Sequence, residues 1–554
     1  MAEFHFSPRP NRASEIGWRE WSPGAFEEAG AADRPILLSI SAVWCHWCHV
    51  MDETTYSTQP VIDLIRERFL PIRVDNDVRP DINQRYNMGG WPTTAFLTPG
   101  GEILTGATYL PADQMLSALE QVSHLYGTRK REIVGRVREG KRRAGDAVAA
   151  SAGGLAPALV EDVLAAVERS YDPVHGGFGS APKFPQTDAL LLLAEQSVRR
   201  GRPELMGMAR HTLARMAAGG SYDHVEGGFF RYSTMADWSV PHFEKMLEDH
   251  AGLVSALAMA GMPEVLDGTT AYLERTLRDP ATGLYGGSQD ADEHYYALDE
   301  GGRRGVRAPQ VDRRVYSSWN CAIAVAYLEA DRLLDRPRLG EGARATLERL
   351  FADRHRPGTG LMHSGEVGGL LQDQAWGLLA CLRAHSAGLG PDWLGRAREL
   401  AGGLDARYGD ARFGGYFDRA AGGELGRLGE RVKPLAENAI LALALHELDV
   451  LEGDPDAPWH AAAERALASV ASLPGRYGLM AASFARALDR ILAPAVKVTT
   501  ANRELARTAL LADPHAVIEP GDQRAVVCVG TECLAPADTP DQLRRSLERM
   551  SARV

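Results

Sequence analysis

The chain has 554 residues, enough for several domains, with 45% hydrophobic and 24% charged residues. This composition excludes a disordered protein, and the net charge of −12 argues against nucleic acid or an anionic membrane as a partner. No apolar run reaches the ~18 residues of a membrane-spanning helix. Residues 1–7 lack the basic and apolar regions of a secretory signal. We therefore expect a cytoplasmic protein.

Residues 1–127 alternate short apolar runs with helical patterns, which is typical of an α/β layer fold. A helical pattern covers 50–69 and is interrupted near Gln59-Pro60. Four runs predict strands, at 36–40, 70–75, 95–98 and 101–104. Residues 128–154 follow as a connector that is first basic and then rich in small residues. Its main interpretation is a solvated helix or linker, and the alternative is a basic binding patch.

Residues 155–492 have helical periodicity, interrupted by turns in which glycine precedes an aromatic or other apolar residue. These turns lie 51 to 56 residues apart, with one interval of 77, at Gly176, Gly227, Gly283, Gly360 and Gly414. A period near fifty fits a helical hairpin that must stack on its neighbours. We predict six hairpins closed into an (α/α)6 barrel, with the turns near one rim, and keep an open solenoid as the alternative. Residues 493–554 predict a small α/β appendage, with strands at 496–500 and 525–529 and helices at 502–511 and 539–550.

The sharpest motif is a Cys-x-x-Cys pair, Cys45 and Cys48, between a predicted strand and a predicted helix. A helix N-terminus favours a thiolate at the first cysteine, so Cys45 is the expected nucleophile and Cys48 the resolving thiol. We expect Cys45 to be exposed, Cys48 to be more buried, and Trp44 to pack near them. The alternatives are haem attachment through Cys-x-x-Cys-His, a zinc site with His46 and His49, and an inert buried pair.

A second feature supports redox chemistry. Trp91-Pro92 precedes the predicted strand at 95–98, where thioredoxin-like folds carry a cis-proline that faces the cysteines and binds peptide backbone. Trp44, Trp91 and Pro92 are therefore candidate substrate-binding residues. Ser39 stands where ordinary thioredoxins carry a buried acid, six residues before the first cysteine, so the usual buried carboxylate for proton transfer is missing.

These motifs resemble the spermatogenesis-associated protein 20 family. The likeness spans nearly the whole chain and rests on the cysteine motif, on 89–93, 181–185, 240–247, 289–292 and 318–320, and on the segment around Cys528 and Cys533. The resemblance implies a multidomain protein: a thioredoxin-like α/β domain joined to an all-α (α/α)6 barrel similar to sugar epimerases and glycosidases. It implies no settled reaction.

In the barrel, Pro241 is predicted to begin a helix on which His242, Lys245 and Asp249 would share one face. His242 or Glu244 would act as acid or base, and Lys245 would bind an anion. The alternative is the wet side of an amphipathic helix.

Further candidates lie on other hairpins. Asp290 and Asp292 could form an acid/base pair or bind sugar hydroxyls or a cation, although a turn role is possible. Asp223, His224, Trp319 and Asn320 are candidate binding residues, and we predict that these hairpins converge at the barrel mouth. The competing interpretation is that the charged residues form buried structural pairs.

The sequence thus predicts thiol–disulfide chemistry at Cys45 and Cys48, coupled to a barrel that binds a sugar or a small anionic ligand. The alternatives are a carbohydrate-active epimerase, isomerase or hydrolase with a redox-sensing domain, and a non-catalytic interaction protein. The expected partners are a protein or small-molecule thiol or disulfide, without nucleic acid, membrane, cofactor or metal.

Overall fold

The computed structural model describes residues 4, 6–149, 152–422, 425–530 and 532–551. The chain forms two compact units. The first contains Met1–Ala150 together with Asp290–Asp292 and Arg419–Val432, and the second contains Ser151–Gln289, Glu293–Asp418 and Lys433–Val554. In the described residues, no helix is both long and apolar enough to cross a membrane.

The first unit is built on a four-stranded sheet. Its strands are β1 (Ile36–Ser41), β2 (Leu70–Asp75), β3 (Thr93–Leu97) and β4 (Ile103–Ala107), in the order β2-β1-β3-β4. β2 runs parallel to β1, whereas β3 and β4 are antiparallel to their neighbours. The helices are α1 (Pro23–Ala32), α2 (His46–Glu53), α3 (Gln59–Arg68), α4 (Pro80–Tyr86) and α5 (Ala112–Ala149), with 3-10 turns at Ala13–Ile16, Thr55–Ser57 and Gly426–Gly429. The predicted α/β layer fold is confirmed.

Strand β1 is buried along its whole length because both faces of this sheet are covered. Ile36, Leu38 and Ile40 pack in one apolar cluster, and Leu37 packs in another on the opposite face with Met51. This explains why the sequence of β1 is a continuous apolar run. The predicted connector continues helix α5 as far as Ala149, and residues 150 and 151 lie outside the described residues.

The second unit is mostly helical. In chain order its helices are α6 (Pro157–Ser170), α7 (Thr187–Arg199), α8 (Pro203–Ala218), α9 (Leu247–Ala260), α10 (Pro263–Tyr272), α11 (Glu293–Tyr296), α12 (Glu300–Arg304), α13 (Ser317–Leu334), α14 (Pro337–Arg354), α15 (Leu371–Ser386), α16 (Asp392–Gly402), α17 (Leu404–Tyr408), α18 (Leu435–Glu452), α19 (Trp459–Ala468), α20 (Pro474–Tyr477), α21 (Ala482–Leu492), α22 (Arg503–Ala512) and α23 (Pro540–Ser551). Helices α7, α9, α13, α15, α18 and α21 form an inner ring. Each packs on the next, and α21 packs back on α7, so the ring is closed. The predicted (α/α)6 barrel is confirmed.

The glycine turns lie at one rim of this barrel. The fourth residue of each of four inner helices accepts a hydrogen bond from a backbone N–H of a turn; the four residues are His250, Asn320, Gln374 and Asn438. Because all four lie in the first turn of their helices, the predicted placement is confirmed for these turns. Gly228 and Gly415 adopt positive φ values of 79° and 70°, which favour glycine where the chain reverses closely against a helix.

Short strands connect the hairpins: β5 (Tyr232–Ser233), β6 (Pro241–His242), β7 (Lys245–Met246), β8 (Ser288–Gln289), β9 (Val311–Asp312), β10 (His355–Arg356) and β11 (Gly360–Leu361). The prediction that a helix begins at Pro241 is wrong, because α9 begins only at Leu247. β6 pairs with β5, and β7 pairs with β8, so this segment is extended. Tertiary strand pairing overrides the local helix signal.

The appendage has two strands that the sequence analysis missed. Its sheet has the order β13-β12-β14-β15, formed by β12 (Val496–Thr499), β13 (Val517–Glu519), β14 (Val526–Val529) and β15 (Glu532–Cys533). Strands β12 and β14 and helices α22 and α23 match their predictions. The appendage packs on the C-terminal ends of inner helices, where Arg503 is 2.6 Å from Asp331 of α13.

Candidate functional site

The cysteine pair lies where β1 gives way to α2. Cys45 is the N-cap residue of α2, and its Sγ accepts a hydrogen bond from the Cys48 N–H at 3.1 Å. The two residues are disulfide-bonded, with a Cα–Cα distance of 5.2 Å. The helix N-terminus stabilises a thiolate at Cys45 when the bond is reduced.

The burial of the pair differs from expectation. Cys45 is only 4% exposed and Cys48 is 2% exposed, so the prediction of an exposed Cys45 is wrong. The strand that leads into the motif is fully buried, and the burial continues through Ala42, Val43 and Trp44 to both sulfurs. The predicted difference between the two cysteines is therefore almost absent.

Aromatic residues lie close to the motif. The Trp44 and Trp91 rings are 5.5 Å apart, and the Trp44 indole N–H donates to Asp77 Oδ2 at 2.7 Å. The Trp91-Pro92 bond is cis, as predicted. Since Thr93 pairs with Ile40 of β1, Pro92 lies at the end of the strand that leads to Cys45. Trp47 is 48% exposed and supplies an apolar surface beside the cysteines.

Two buried polar groups accompany the motif within the first unit. Arg73 donates to both carboxylate oxygens of Asp52, at 2.8 and 2.9 Å, so this carboxylate is already paired. His49 is one residue after Cys48 and four after Cys45, so it lies on the face of α2 that carries Cys45. Its Nδ1 is 3.4 Å from Asp290 Oδ2, and both side chains are buried. Ser39 is buried on β1, as its strand position predicts.

The predicted candidates of the barrel divide between the two units. Asp290 and Asp292 group with the first unit, whereas His242 and Glu244 belong to the second. His242 Nδ1 is 2.5 Å from Glu244 Oε2, and the His242 ring stacks on Tyr232 at 4.8 Å. His242 is partly exposed and Glu244 is buried, so this pair has one accessible member.

Three other predicted residues make structural contacts. Lys245 Nζ is 2.7 Å from Asp223 Oδ2 and also donates to the Gly227 carbonyl, within the glycine turn. Burial lowers the pKa of Lys245 to about 8, while Lys245 and Arg303 hold the pKa of Asp223 down at about 2 despite its burial. The Asn320 side chain accepts a hydrogen bond from the Tyr285 N–H and donates one to the Tyr285 carbonyl. These contacts favour the structural interpretation of the three residues.

The same lysine–aspartate arrangement recurs in other hairpins. Lys183 pairs with Asp172, and Lys433 pairs with Asp410, each at the equivalent glycine turn. This recurrence was a signal available in the sequence. His224 is exposed; its Nε2 is 3.0 Å from the Gly219 carbonyl oxygen, and its ring lies edge-to-face with Tyr222 at 5.6 Å.

A cavity of about 270 Å³ lies on the barrel axis at the N-terminal ends of the inner helices. All six inner helices contribute to its wall. Trp319, a predicted binding residue, lines it together with Trp376, Glu248 and Glu437. The two glutamates were missed by the sequence analysis, because single acidic residues at helix starts have no distinctive pattern.

The two glutamates have unusual ionisation. Burial within the protein and the neighbouring Asp249 carboxylate raise the pKa of Glu248 to about 7. Burial and Asp418 raise the pKa of Glu437 to about 7. Glu248 is exposed to solvent in the cavity although inner helices surround it, and Glu437 is half-buried. Near neutral pH each carboxyl group can therefore accept or donate a proton.

The remaining four cysteines fall into two classes. Cys321 and Cys381 are free and buried, as expected for core residues. Cys528 and Cys533 face each other across β14 and β15 and are disulfide-bonded, with Cys533 exposed.

Comparison with known proteins agrees with the thioredoxin-like fold predicted for the first unit. Residues 9–143 match a family model described as Thioredox_DsbH, a protein of unknown function, DUF255. The thiol:disulfide interchange protein DsbD of Campylobacter jejuni strain RM1221 is 30% identical over 98 residues, which cover 17% of this chain and 17% of that protein. The solved structure of a D-mannose isomerase aligns with a TM-score of 0.48 and 13% identity, covering 60% of this chain and 96% of that chain.

Spermatogenesis-associated protein 20 of Mus musculus is 32% identical over 311 residues, which cover 50% of this chain and 39% of that protein. The match therefore spans less than half the length of this relative. Residues 9–143 thus match the Thioredox_DsbH model, and the similarity to spermatogenesis-associated protein 20 that the motifs predict is found over half of this chain rather than over nearly all of it.

Proposed function

We propose that the protein catalyses thiol–disulfide exchange at Cys45 and Cys48. The observation that carries the proposal is the disulfide at the N-terminus of α2, at the end of β1 where cis-Pro92 also lies. The similarity to a thiol:disulfide interchange protein supports it.

The exchange begins when a substrate thiolate attacks one sulfur of the pair. A mixed disulfide forms and the other sulfur leaves as a thiolate. Attack on the mixed disulfide by a second substrate thiolate then releases the oxidised substrate and the Cys45/Cys48 dithiol. In the reverse direction, the Cys45 thiolate attacks a substrate disulfide and Cys48 resolves the intermediate.

A proton acceptor is needed when the dithiol reacts, and His49 is the best-supported candidate. It shares a helix face with Cys45, and Asp290 would stabilise its protonated form. His49 would thus take over the role of the buried acid, whose usual position is occupied by Ser39.

The test is a disulfide reductase assay with insulin and with a small aromatic disulfide. We expect Cys45→Ser and Cys48→Ser to abolish turnover, whereas the double variant Cys528→Ser/Cys533→Ser keeps it. Because both active sulfurs are buried, the small substrate should react faster than insulin. Unchanged activity in Cys45→Ser would reject the proposal.

A second function is supported by the axial cavity. We propose that it binds a neutral polyhydroxylated ligand, such as a sugar. Trp319 and Trp376 offer aromatic faces for stacking, and Glu248 and Glu437 accept hydrogen bonds from hydroxyl groups. The carboxylates disfavour the anionic ligand that the sequence analysis also allowed.

Calorimetry with a panel of neutral mono- and disaccharides tests this function. We expect Glu248→Gln and Glu437→Gln to lower the affinity for any saccharide that the parent protein binds. Glu264→Gln, an exposed control on α10, should leave this affinity unchanged. If the cavity variants bind every parental ligand with unchanged affinity, the cavity is not the binding site.

A further inference from the structure

A second cavity lies at the opposite end of the inner ring. It has a volume of about 220 Å³ and is enclosed by the C-terminal halves of inner helices together with α22 and β13 of the appendage. Glu329, Arg383 and Arg486 line both cavities, so they form the partition between them. Neither proposed function uses this second cavity.

The wall of this cavity carries five arginines and only two carboxylates. Three arginines are paired: Arg486 and Arg490 with Glu195, at 3.0 and 2.9 Å, and Arg383 with Glu447, at 2.8 Å. The other two make no ion pair within 4 Å in the described part of the chain: Arg210 is exposed and donates to the Ala260 carbonyl, and Arg332 is half-buried. The cavity therefore has a local excess of positive charge.

Arg332 is the residue on which this excess is concentrated. Its only described hydrogen-bond acceptor is the Ser386 carbonyl, at 2.6 Å from Nη2, although a guanidinium has five N–H donors. Burial, and then the neighbouring Arg383, lower the pKa of Arg332 to about 10. Burial and Arg490 likewise lower the pKa of His515, beside the cavity wall, well below its usual range. Arg332 is half-buried, and Asp331 and Glu447 attract it electrostatically without forming an ion pair within 4 Å among the described residues, so a bound anion would give it a direct partner.

The rest of the wall is apolar. Met259 and Leu328 belong to its barrel side, and Leu510 and Ile518 to its appendage side. Two further wall residues are unusually open to solvent: Val198 is 38% exposed and Leu511 is 52% exposed. They provide an apolar entrance, so a ligand with an apolar tail can reach the cavity from outside.

We propose that this cavity binds a medium-chain carboxylate, with the carboxylate on Arg332 and the alkyl chain against the apolar wall. The planar guanidinium fits a carboxylate through two parallel hydrogen bonds. The tail supplies apolar burial that an inorganic anion lacks.

Titration calorimetry of the full chain with octanoate tests the proposal, with octan-1-ol and inorganic phosphate as comparison probes. We expect saturable 1:1 binding of octanoate and at least tenfold weaker binding of both comparison probes. Arg332→Gln should weaken octanoate at least tenfold, and Arg336→Gln, which removes a partly exposed arginine paired with Asp267, should not.

A second variant keeps the test decisive if Arg332→Gln fails to fold. Val198→Trp places a large side chain at the partly exposed entrance and should block octanoate without lowering the melting temperature. If octan-1-ol or phosphate binds as tightly as octanoate, the proposal is overturned. It is also overturned if Val198→Trp or a folded Arg332→Gln protein binds octanoate with the affinity of the parent.

Discussion

At the scale of single residues, burial decides how the cysteine pair reacts. Cys45 and Cys48 are both below 5% exposed, so a substrate must first gain access to a sulfur. The N-terminus of α2 favours the thiolate once the bond has been opened. Access and proton transfer, rather than thiolate stability alone, should therefore limit the rate.

The role of His49 gives the first prediction. His49→Ala should slow disulfide reduction at pH 7 by about tenfold or more, because the Cys45 thiol loses its proton acceptor. Asp290→Asn should have a smaller effect, because it removes a charge 3.4 Å from His49 Nδ1 but leaves the imidazole in place. His46→Ala is the matched control, since His46 belongs to the same motif, directly after Cys45, and is partly exposed. Equal rates for the His49→Ala and parent proteins would contradict this role.

The axial glutamates give the second prediction. Their pKa values are raised in the folded protein, to about 7, so the folded state holds more protons than the unfolded state between about pH 4.5 and 7. Their contribution therefore favours folding at low pH and declines as the pH rises through 7. Glu248→Gln/Glu437→Gln should melt at a higher temperature than the parent at pH 8, and this difference should shrink at pH 5. Scanning calorimetry at both pH values measures it, with Glu264→Gln expected to match the parent.

At the scale of helices and turns, one position is repeated. The fourth residue of inner helices α9, α13, α15 and α18 is polar, buried and bonded to a backbone N–H of a glycine turn. A turn at the rim cannot bond to water where it is covered, so the helix supplies the partner. The side chain differs, but the contact is the same.

Asn320 gives the third prediction. Asn320→Ala leaves the buried N–H and carbonyl of Tyr285 without partners, which should lower the free energy of unfolding by about 2–4 kcal/mol. Urea denaturation measures the change. A sugar that binds the axial cavity should keep its affinity for the folded variant. Loss of binding without loss of stability would instead assign Asn320 to the site.

His250 gives the fourth prediction. Burial, and then the nearby Lys245 charge, lower its pKa to about 4, although the hydrogen bond from Nδ1 to the Met246 carbonyl opposes this shift; Nε2 accepts the Phe229 N–H. The unfolded state binds a proton near pH 6.5, so stability falls as the pH drops from 6.5 to 4, by up to about 3 kcal/mol. His250→Gln, which adopts the residue type found at the fourth position of α15, should lessen this acid-induced loss. Urea denaturation at pH 4.5 and 7.5 compares the two proteins, and an unchanged pH dependence would show that His250 does not cause the loss.

The sequence predicts the features that depend on local patterns. The Cys-x-x-Cys spacing identifies Cys45 and Cys48, and the repeated glycine turns predict the closed ring. It does not identify Glu248 and Glu437, because their proximity depends on how α9 and α18 are placed around the axis. It also does not separate Asp223 and Lys245 from catalytic residues, since a buried structural pair and an acid/base site use the same side chains.

At the scale of the whole barrel, Glu195 stabilises the seam of the ring, which is the contact between the first and last inner helices, α7 and α21. It belongs to the first inner helix, α7, and is 1% exposed. It accepts hydrogen bonds from Arg486 and Arg490 of the last inner helix, α21. One buried carboxylate thus joins two guanidinium groups across the seam, beside the more exposed pairs Arg486–Asp188 and Arg199–Asp489.

Glu195 gives the fifth prediction. Glu195→Ala leaves Arg490 without an ion pair among the described residues and Arg486 with only Asp188, and should lower the free energy of unfolding by about 3–5 kcal/mol. Glu161→Ala, which breaks an exposed pair with Arg200, should change it by less than about 1 kcal/mol. Urea denaturation of both variants tests the difference, and equal stabilities would show that the seam does not depend on this carboxylate.

The closed seam also constrains the order of events during synthesis. Glu195 and Arg486 are 291 residues apart, so at about 5–20 residues per second the ribosome takes roughly 15–60 s to supply the second partner. During that time α7 has only one of its two neighbours in the ring, and its apolar residues on the other side remain uncovered. A nascent chain of this protein therefore spends many seconds as an open arc that chaperones can bind.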